Sequence, residues 1–270
     1  LTLLRLGDRA ELAVVELAMT RKGEIAKLCA IAGPNLGIVT NVNPVHLEFF
    51  ASVDEIAEAK RELIQGLVAP ATAVLNGDDA RVQHFAEGFG GRVVLFGFSR
   101  DACVRAENLD DRGCDGTAFD LIAGGQRARV RLDLIGQHNV TNALAAGAAA
   151  HEFKIEPAVA AEVLTGMEAL PQRGQRWRFS SAAGPFTVID DTYNANPRGV
   201  AAMAEAVSRT PGVQRRALVV GEMRELGPSG PELHREAGRY IAALGNIDLL
   251  AGVTGLAAEM VAAARATGWP

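Results

Sequence analysis

A lysine is the first residue in this sequence whose position suggests chemistry. In NVNPVHLEFFASVDEIAEAKRELIQGL, Ser52 and Glu55 have the S-x-x-E spacing of a capping box, which starts a helix at Val53. Val53, Ile56, Ala57, Leu63, Ile64 and Leu67 then recur at helical spacing, and Lys60 falls on that apolar stripe, one turn after Ile56 and one before Ile64. Glu55, Glu58, Arg61 and Glu62 cover the opposite side. A buried ammonium is costly, and burial drives a lysine towards its neutral form, a nucleophile open to modification. Two readings are open: a functional lysine, or one that snorkels to solvent from the edge of the stripe.

Other candidates sit at the ends of apolar runs. Glu16 closes the run Leu12–Leu17, and His46 and Glu48 follow the run Leu36–Val42. In an open α/β sheet the carboxyl ends of strands are where ligands bind, so Glu16 and His46 could share a hard divalent cation that also touches phosphate. The alternative for His46 is a polar loop residue. The segment VIDDTYNANP runs from an apolar stretch into Asp190 and Asp191, then Thr192, Tyr193, Asn194, Asn196 and Pro197. It reads either as a turn ending a strand, with Pro197 opening a helix, or as a ligand contact. In GQHNVTNALAA, Asn139 and Asn142 are three apart at a helix start and share one face; the bland reading of Asn139 is a helix N-cap.

The elements that must carry these residues alternate. Leu12–Leu17, Leu36–Val42, Thr72–Leu75 and Arg92–Phe96 are Val/Ile/Leu-rich and nearly continuous, as strands buried on both faces are. Helical stretches between them predict an α/β fold with a mainly parallel sheet. Thr117–Ile122 and Arg127–Leu134 alternate apolar and polar around Gly124-Gly125, which predicts an antiparallel hairpin at the edge of the first domain. Helices are expected from Asn139 to about Phe153 and from Pro157 to Met167. The segment LPQRGQ, Leu170–Gln175, divides a first domain, 1–174, from a second α/β unit, 175–270. The second unit reads as strand Phe186–Ile189, helix Pro197–Ser208, strand Ala217–Val220, helix Pro231–Leu244, strand Ile247–Ala251 and helix Leu256–Ala266.

The totals narrow the function. A formal net charge of −5 argues against a nucleic-acid scaffold, yet anions such as nucleotides can still bind at local helix N-termini and single Arg or Lys side chains. Three cysteines without CxxC spacing fit reduced cytoplasmic thiols better than a disulfide frame. No apolar run has membrane-spanning length, so a membrane partner is not expected.

Taken in order, VVELAMTRKGEI, NVNPVHLEFF with EAK, VLNGDD, GQHNVTNALAA, and DDTYNANP with GEMRELG resemble the Mur ligases of peptidoglycan synthesis. DDTYNANP resembles most the type that adds D-alanyl-D-alanine to UDP-N-acetylmuramoyl-tripeptide. The resemblance implies a Mur ligase central domain followed by a Rossmann-like C-terminal domain. It implies an ATP- and Mg2+-dependent amide ligase that works through an acyl phosphate, as a monomer in the cytoplasm. By motif match, Glu16 and His46 would be magnesium ligands. Lys60 would be the lysine carried as a carbamate, an anion able to bind a second magnesium. Asn142, with Asn139, would hold the adenine, whose edge needs a donor and an acceptor. Arg173 would reach the γ-phosphate; the family has Gly before this arginine where Gln172 stands here, and Arg176 is a second candidate. Asp191 would meet the nucleotide, with Asn194 and Asn196 nearby. GEM stands for the family's Gly-Asp-Met and keeps a carboxylate in Glu222. His234 is expected on a solvated helix face, with the incoming dipeptide as its other reading.

No G-x-x-x-x-G-K-[ST] loop occurs in the sequence, so the backbone cradle and lysine for the phosphates are expected to be missing. The chain accordingly reads as a piece of such a ligase, inactive on its own. Two alternatives stay open: a sibling Mur or folylpolyglutamate-type ligase, and a truncated, non-catalytic nucleotide-binding paralogue.

Overall fold

The computed structural model describes residues 3–43, 49–182 and 184–269. Contacts divide the chain into two compact units, Leu1–Ala102 and Cys103–Pro270.

In the first unit, strands β1 (Leu36–Val39), β2 (Thr72–Asn76) and β3 (Arg92–Gly97) pair in parallel, in that order. Helix α1 (Glu24–Ala32) leads into β1, α2 (Val53–Gln65) links β1 to β2, and the short α3 (Ala80–Gln83) lies between β2 and β3. Strands buried on both faces need apolar residues at successive positions, and TAVLN in β2 is buried from Ala73 onward. The core gathers Ile56, Ala59 and Ile64 of α2 with Ala73, Leu75 and Val82. Burying a side chain such as Ile56 fully contributes about 1.5–3 kcal/mol. Ser52 caps α2 as its spacing predicted, its Oγ accepting from Glu55 N–H at 3.2 Å, while the Glu55 carboxylate reaches one residue past the cap and accepts from Ala51 N–H at 2.8 Å. Glu62 departs from expectation. It is buried and caps α1, accepting from Gly23 N–H at 2.7 Å and Ala26 N–H at 3.1 Å. The orphan donors at a helix start outweigh the preference of a lone glutamate for water.

Residues 12–17 are not a strand. They run without ladder pairing, with Leu12 and Val14 exposed. Apolar content supports a strand only where a neighbouring strand takes its N–H and C=O groups. The run expected from Leu36 to Val42 stops at Val39 as a strand, and His46 and Glu48 lie outside the described residues.

The second unit contains the expected hairpin, β5 (Thr117–Ala123) against β6 (Gln126–Leu132), and β4 (Val104–Asp111), which sequence reasoning missed, pairs antiparallel with β5. Helices α4 (Gln137–Glu152) and α5 (Pro157–Thr165) follow. A second missed strand, β7 (Gln175–Ser181), pairs antiparallel with β8 (Gly184–Asp190). Its signal was present, since Trp177 and Phe179 alternate with Arg176, Arg178 and Ser180. Beyond come α6 (Pro197–Arg209), β9 (Ala217–Gly221), α7 (Gly230–Ala243), β10 (Leu249–Val253) and α8 (Ala257–Ala266), with β9 and β10 parallel. The class is α/β, as the alternation predicted.

The turn at Gly113–Asp115 ties the hairpin to α6. Cys114 N–H donates to Thr210 Oγ1 at 2.9 Å, and Arg176 donates to Cys114 O at 2.8 Å. A Cβ on Gly113 would fall 2.3 Å from Ala206 O, so only glycine allows this approach. The LPQRGQ segment therefore lies inside this unit.

Candidate functional site

The 3.6-residue period puts Lys60 on the inner side of α2, beside the fully buried Ile56 and Ala59. Its side chain is half-buried and its Nζ donates to Asn41 O at 2.7 Å. Burial pushes the Lys60 amine below its ordinary value, against the opposing charge of Asp79. The lysine does not snorkel: its amine is spent inward, on the segment that leaves β1. Glu16 stands exposed in the unpaired run 12–17. Among the described residues no three His, Cys, Asp or Glu side chains gather as a metal site.

The motif VLNGDD, which ends β2, surrounds this segment with polar side chains. Asn76 Nδ2 donates to Thr40 O at 2.7 Å, and Asp79 Oδ2 accepts from Val42 N–H at 2.8 Å. Asp78 turns the other way and accepts from Phe98 N–H at 2.7 Å and Ser99 N–H at 3.3 Å.

In the second unit, Gly136 is the N-cap of α4, so Asn139 lies within the first turn and is not the cap. Its Nδ2 donates back to Ile135 O at 2.8 Å, while Asn142 Nδ2 donates to Asn139 Oδ1 at 3.3 Å. The pair shares one face as its spacing predicted, with Asn142 exposed and oriented by Asn139.

Arg173 and Arg176 separate clearly. Arg176 is engaged with Asp133 and Cys114 O. Arg173 is exposed, its guanidinium 4.1 Å from the centroid of the Tyr193 ring. Tyr193 N–H donates to Gln172 O at 3.1 Å, which ties the segment before β7 to the one after β8. Gln172 adopts φ 61°, the left-handed region that suits glycine, at a cost of about 1–2 kcal/mol. The glycine that the resemblance expects here is explained by this backbone.

Asp191 keeps an exposed edge, yet the packing around its carboxyl pushes it above the ordinary aspartate value. The Arg173 charge and the Gly174 N–H oppose that rise. Asp190 accepts from Thr192 N–H at 3.2 Å, and Asn194 is exposed. Asn196 is the N-cap of α6, its Oδ1 accepting from Gly199 N–H at 2.9 Å, with Pro197 in the first turn. Glu222 lies against the start of α8, where a Cβ on Gly255 would fall 2.3 Å from Glu222 Oε2. His234 overturns its expectation. It is fully buried, its Nε2 accepting from Met223 N–H at 2.9 Å and its Nδ1 bonded to Gly230 O at 2.7 Å. It splints the loop after β9 to the first turn of α7.

Known proteins resemble the chain over most of its length. The family model of the Mur ligase middle domain matches residues 1–150, and that of the Mur ligase glutamate ligase domain matches residues 175–268. A UDP-N-acetylmuramoyl-tripeptide--D-alanyl-D-alanine ligase of Mycobacterium tuberculosis is 36% identical over 247 residues, covering 90% of this chain and 48% of that protein. A crystal structure of MurF from Acinetobacter baumannii superimposes with a TM-score of 0.87 at 28% identity, over 97% of this chain and 56% of that one. MurF from Thermotoga maritima, solved in complex with ADP, gives 0.78 at 27% identity, over 90% and 55%. The chain spans about half the length of the curated relatives it matches. With both family models in order along its length, the chain belongs to the Mur ligase family.

Proposed function

We propose that the protein carrying this chain is an ATP-dependent ligase that adds D-alanyl-D-alanine to UDP-N-acetylmuramoyl-tripeptide. The observation that carries this reading is Lys60, an amine desolvated on the inner face of α2 and presented to the segment after β1. A neutral amine captures CO2, forming an N–C bond and releasing one proton, which turns a costly buried cation into a carboxylate-bearing group. The donor set suits a hard cation: this carbamate, the exposed carboxylate of Glu16, and His46. Magnesium held there would offset charge on the γ-phosphate and on the substrate carboxylate.

The tripeptide carboxylate attacks the γ-phosphate of ATP, giving an acyl phosphate and ADP. The amine of D-alanyl-D-alanine then adds to the acyl carbon, and the tetrahedral intermediate expels phosphate to leave the amide. Asn142, oriented by Asn139, offers the donor and acceptor that an adenine edge requires. Arg173 rather than Arg176 serves the phosphates, because Arg176 is engaged elsewhere. Asp191 and Asn194 meet the nucleotide, and Asn196 supports them as the cap of α6. The functional domains are 1–174 and 175–270. The protein acts in the cytoplasm as a monomer, without nucleic acid or membrane insertion. Among the described residues no helix is long and apolar enough to cross a membrane.

The test is ligation by the gene product carrying this chain, supplied with Mg2+, ATP, UDP-N-acetylmuramoyl-tripeptide and D-alanyl-D-alanine. The expected result is one amide product per ADP and phosphate released. Equal use of a single amino acid as the amine would make it a sibling ligase. Nucleotide binding without any amide would make it a non-catalytic module.

A further inference from the structure

Three consecutive residues after β1 are each gripped by a different side chain. Thr40 O accepts from Asn76 Nδ2 at 2.7 Å, Asn41 O accepts from Lys60 Nζ at 2.7 Å, and Val42 N–H donates to Asp79 Oδ2 at 2.8 Å. The last two bonds share a peptide unit. The carbonyl of Asn41 and the N–H of Val42 are opposite ends of one planar group, so whatever fixes the N–H also aims the oxygen. Asp79 thus holds one end of the plane whose other end holds Lys60.

Both grips are braced from behind. Asp79 Oδ1 accepts from Arg81 N–H at 3.0 Å and Val82 N–H at 3.3 Å as the N-cap of α3, so the carboxylate cannot swing away without uncapping that helix. Asn76 Oδ1 accepts from Asp78 N–H at 2.9 Å. Asn76 and Val42 are buried, so a lost partner leaves an orphaned polar group with no water to replace it. The arrangement is stiff where a reactive amine needs it to be.

We propose that Asp79, seconded by Asn76, is a positioning residue for Lys60: it locks the Asn41–Val42 peptide plane, and the locked carbonyl sets where the Lys60 amine stands. The inference rests on the reading of Lys60 as the reactive amine only for its consequence in ligation; the positioning itself is a property of this chain.

The experiment uses the 270-residue chain. Asp79→Asn keeps an oxygen for the α3 cap and sets an amide donor against the Val42 donor. Asn76→Asp keeps the acceptor for Asp78 N–H and removes the donor to Thr40 O. Asp78→Asn is the control, because Asp78 serves the loop at Phe98 and Ser99. Two readouts are followed: hydrogen exchange of the Val42 amide, and addition of cyanate to Lys60. Cyanate adds across the amine N–H to give a urea, and its rate is normalised to the exposed Lys22, Lys27 and Lys154. In Asp79→Asn, Val42 exchange is expected to rise about tenfold, as loss of one hydrogen bond predicts; in Asn76→Asp, where Val42 keeps its bond to Asp79 and only Thr40 O is released, it rises less. Lys60 modification is expected to rise by about threefold or more, and Asp78→Asn to move neither. A general loosening would move all three variants and all four lysines together. Faster Val42 exchange with an unchanged Lys60 rate in Asp79→Asn would overturn the proposal, as would equal acceleration in Asp78→Asn. Ligation that survives Lys60→Ala would instead sink the functional reading and leave the positioning intact.

Discussion

VLNGDD in the first unit and DDTYNANP in the second have nearly the same polar vocabulary and opposite uses for it. In VLNGDD, Asn76, Asp78 and Asp79 all direct their side chains at backbone groups of neighbouring loops and of α3. In DDTYNANP, Asp190 and Asn196 are spent locally, on Thr192 and on the start of α6. Asp191, Tyr193 and Asn194 keep surface exposure with Arg173 beside them, Asp191 also accepting from the Gly174 N–H. Asparagines and aspartates near strand ends are therefore not equivalent candidates. Where a buried backbone group needs a partner, it takes the nearest carboxylate or amide; what is left over is what a ligand can use.

The largest expected effect separates Lys60 from every structural polar residue around it. Lys60→Ala in the gene product carrying this chain should lower ligation on the order of 10²-fold or more, with rescue by a small carboxylate. Its unfolding free energy should change by only about 1 kcal/mol, the worth of the one hydrogen bond from Lys60 Nζ to Asn41 O. Activity like that of wild type would remove Lys60 from the chemistry.

The second prediction puts the two motifs in direct competition. Asp79→Ala uncaps α3 and orphans the buried Val42 N–H, so it should cost about 2–4 kcal/mol in denaturant unfolding. Asp191→Ala should stay within about 0.5 kcal/mol, as surface substitutions usually do, while slowing turnover more than it weakens nucleotide binding. Equal stability losses at the two positions would erase the distinction drawn between the motifs.

Much of this was legible in the sequence, and the limits have physical causes. Lys60 could be read because helical periodicity is local: its neighbours on the stripe lie one turn away. The Ser52 cap, the hairpin and Pro197 are local in the same sense. His234 was not legible, because the partner that satisfies it in its buried position, the N–H of Met223, lies on the loop that leaves β9. Glu62 was read as solvated because its partners, Gly23 and Ala26, belong to another helix. Leu12–Leu17 had strand composition, but pairing is a tertiary fact. The two candidate arginines looked alike until the structure engaged Arg176 with Asp133 and Cys114.

A smaller effect tests the split inside DDTYNANP. Asn196→Ala removes the cap of α6 and should cost about 1 kcal/mol. Asn194→Ala should be close to neutral in the same unfolding measurement. If Asn194 proved the costlier of the two, the division into spent and available side chains would be wrong for this motif.

The smallest effect is the most specific. Packing holds the Asp191 carboxyl above its ordinary value, so the folded chain binds that proton more tightly than the unfolded chain does. The group's contribution is then fully present below the unfolded aspartate value and is lost as pH rises through the raised folded value. Ionised Asp191 is thus a slight burden on the fold at neutral pH, tolerated beside Arg173. Asp191→Asn should be a little more stable than wild type at pH 7, with the gap closing as the pH falls below the usual aspartate range. Urea midpoints across that span measure it. A gap that widened in acid would mean that the carboxylate is held by Arg173 and Gly174 more strongly than burial opposes it, and Asp191 would then join Asp79 among the structural acids.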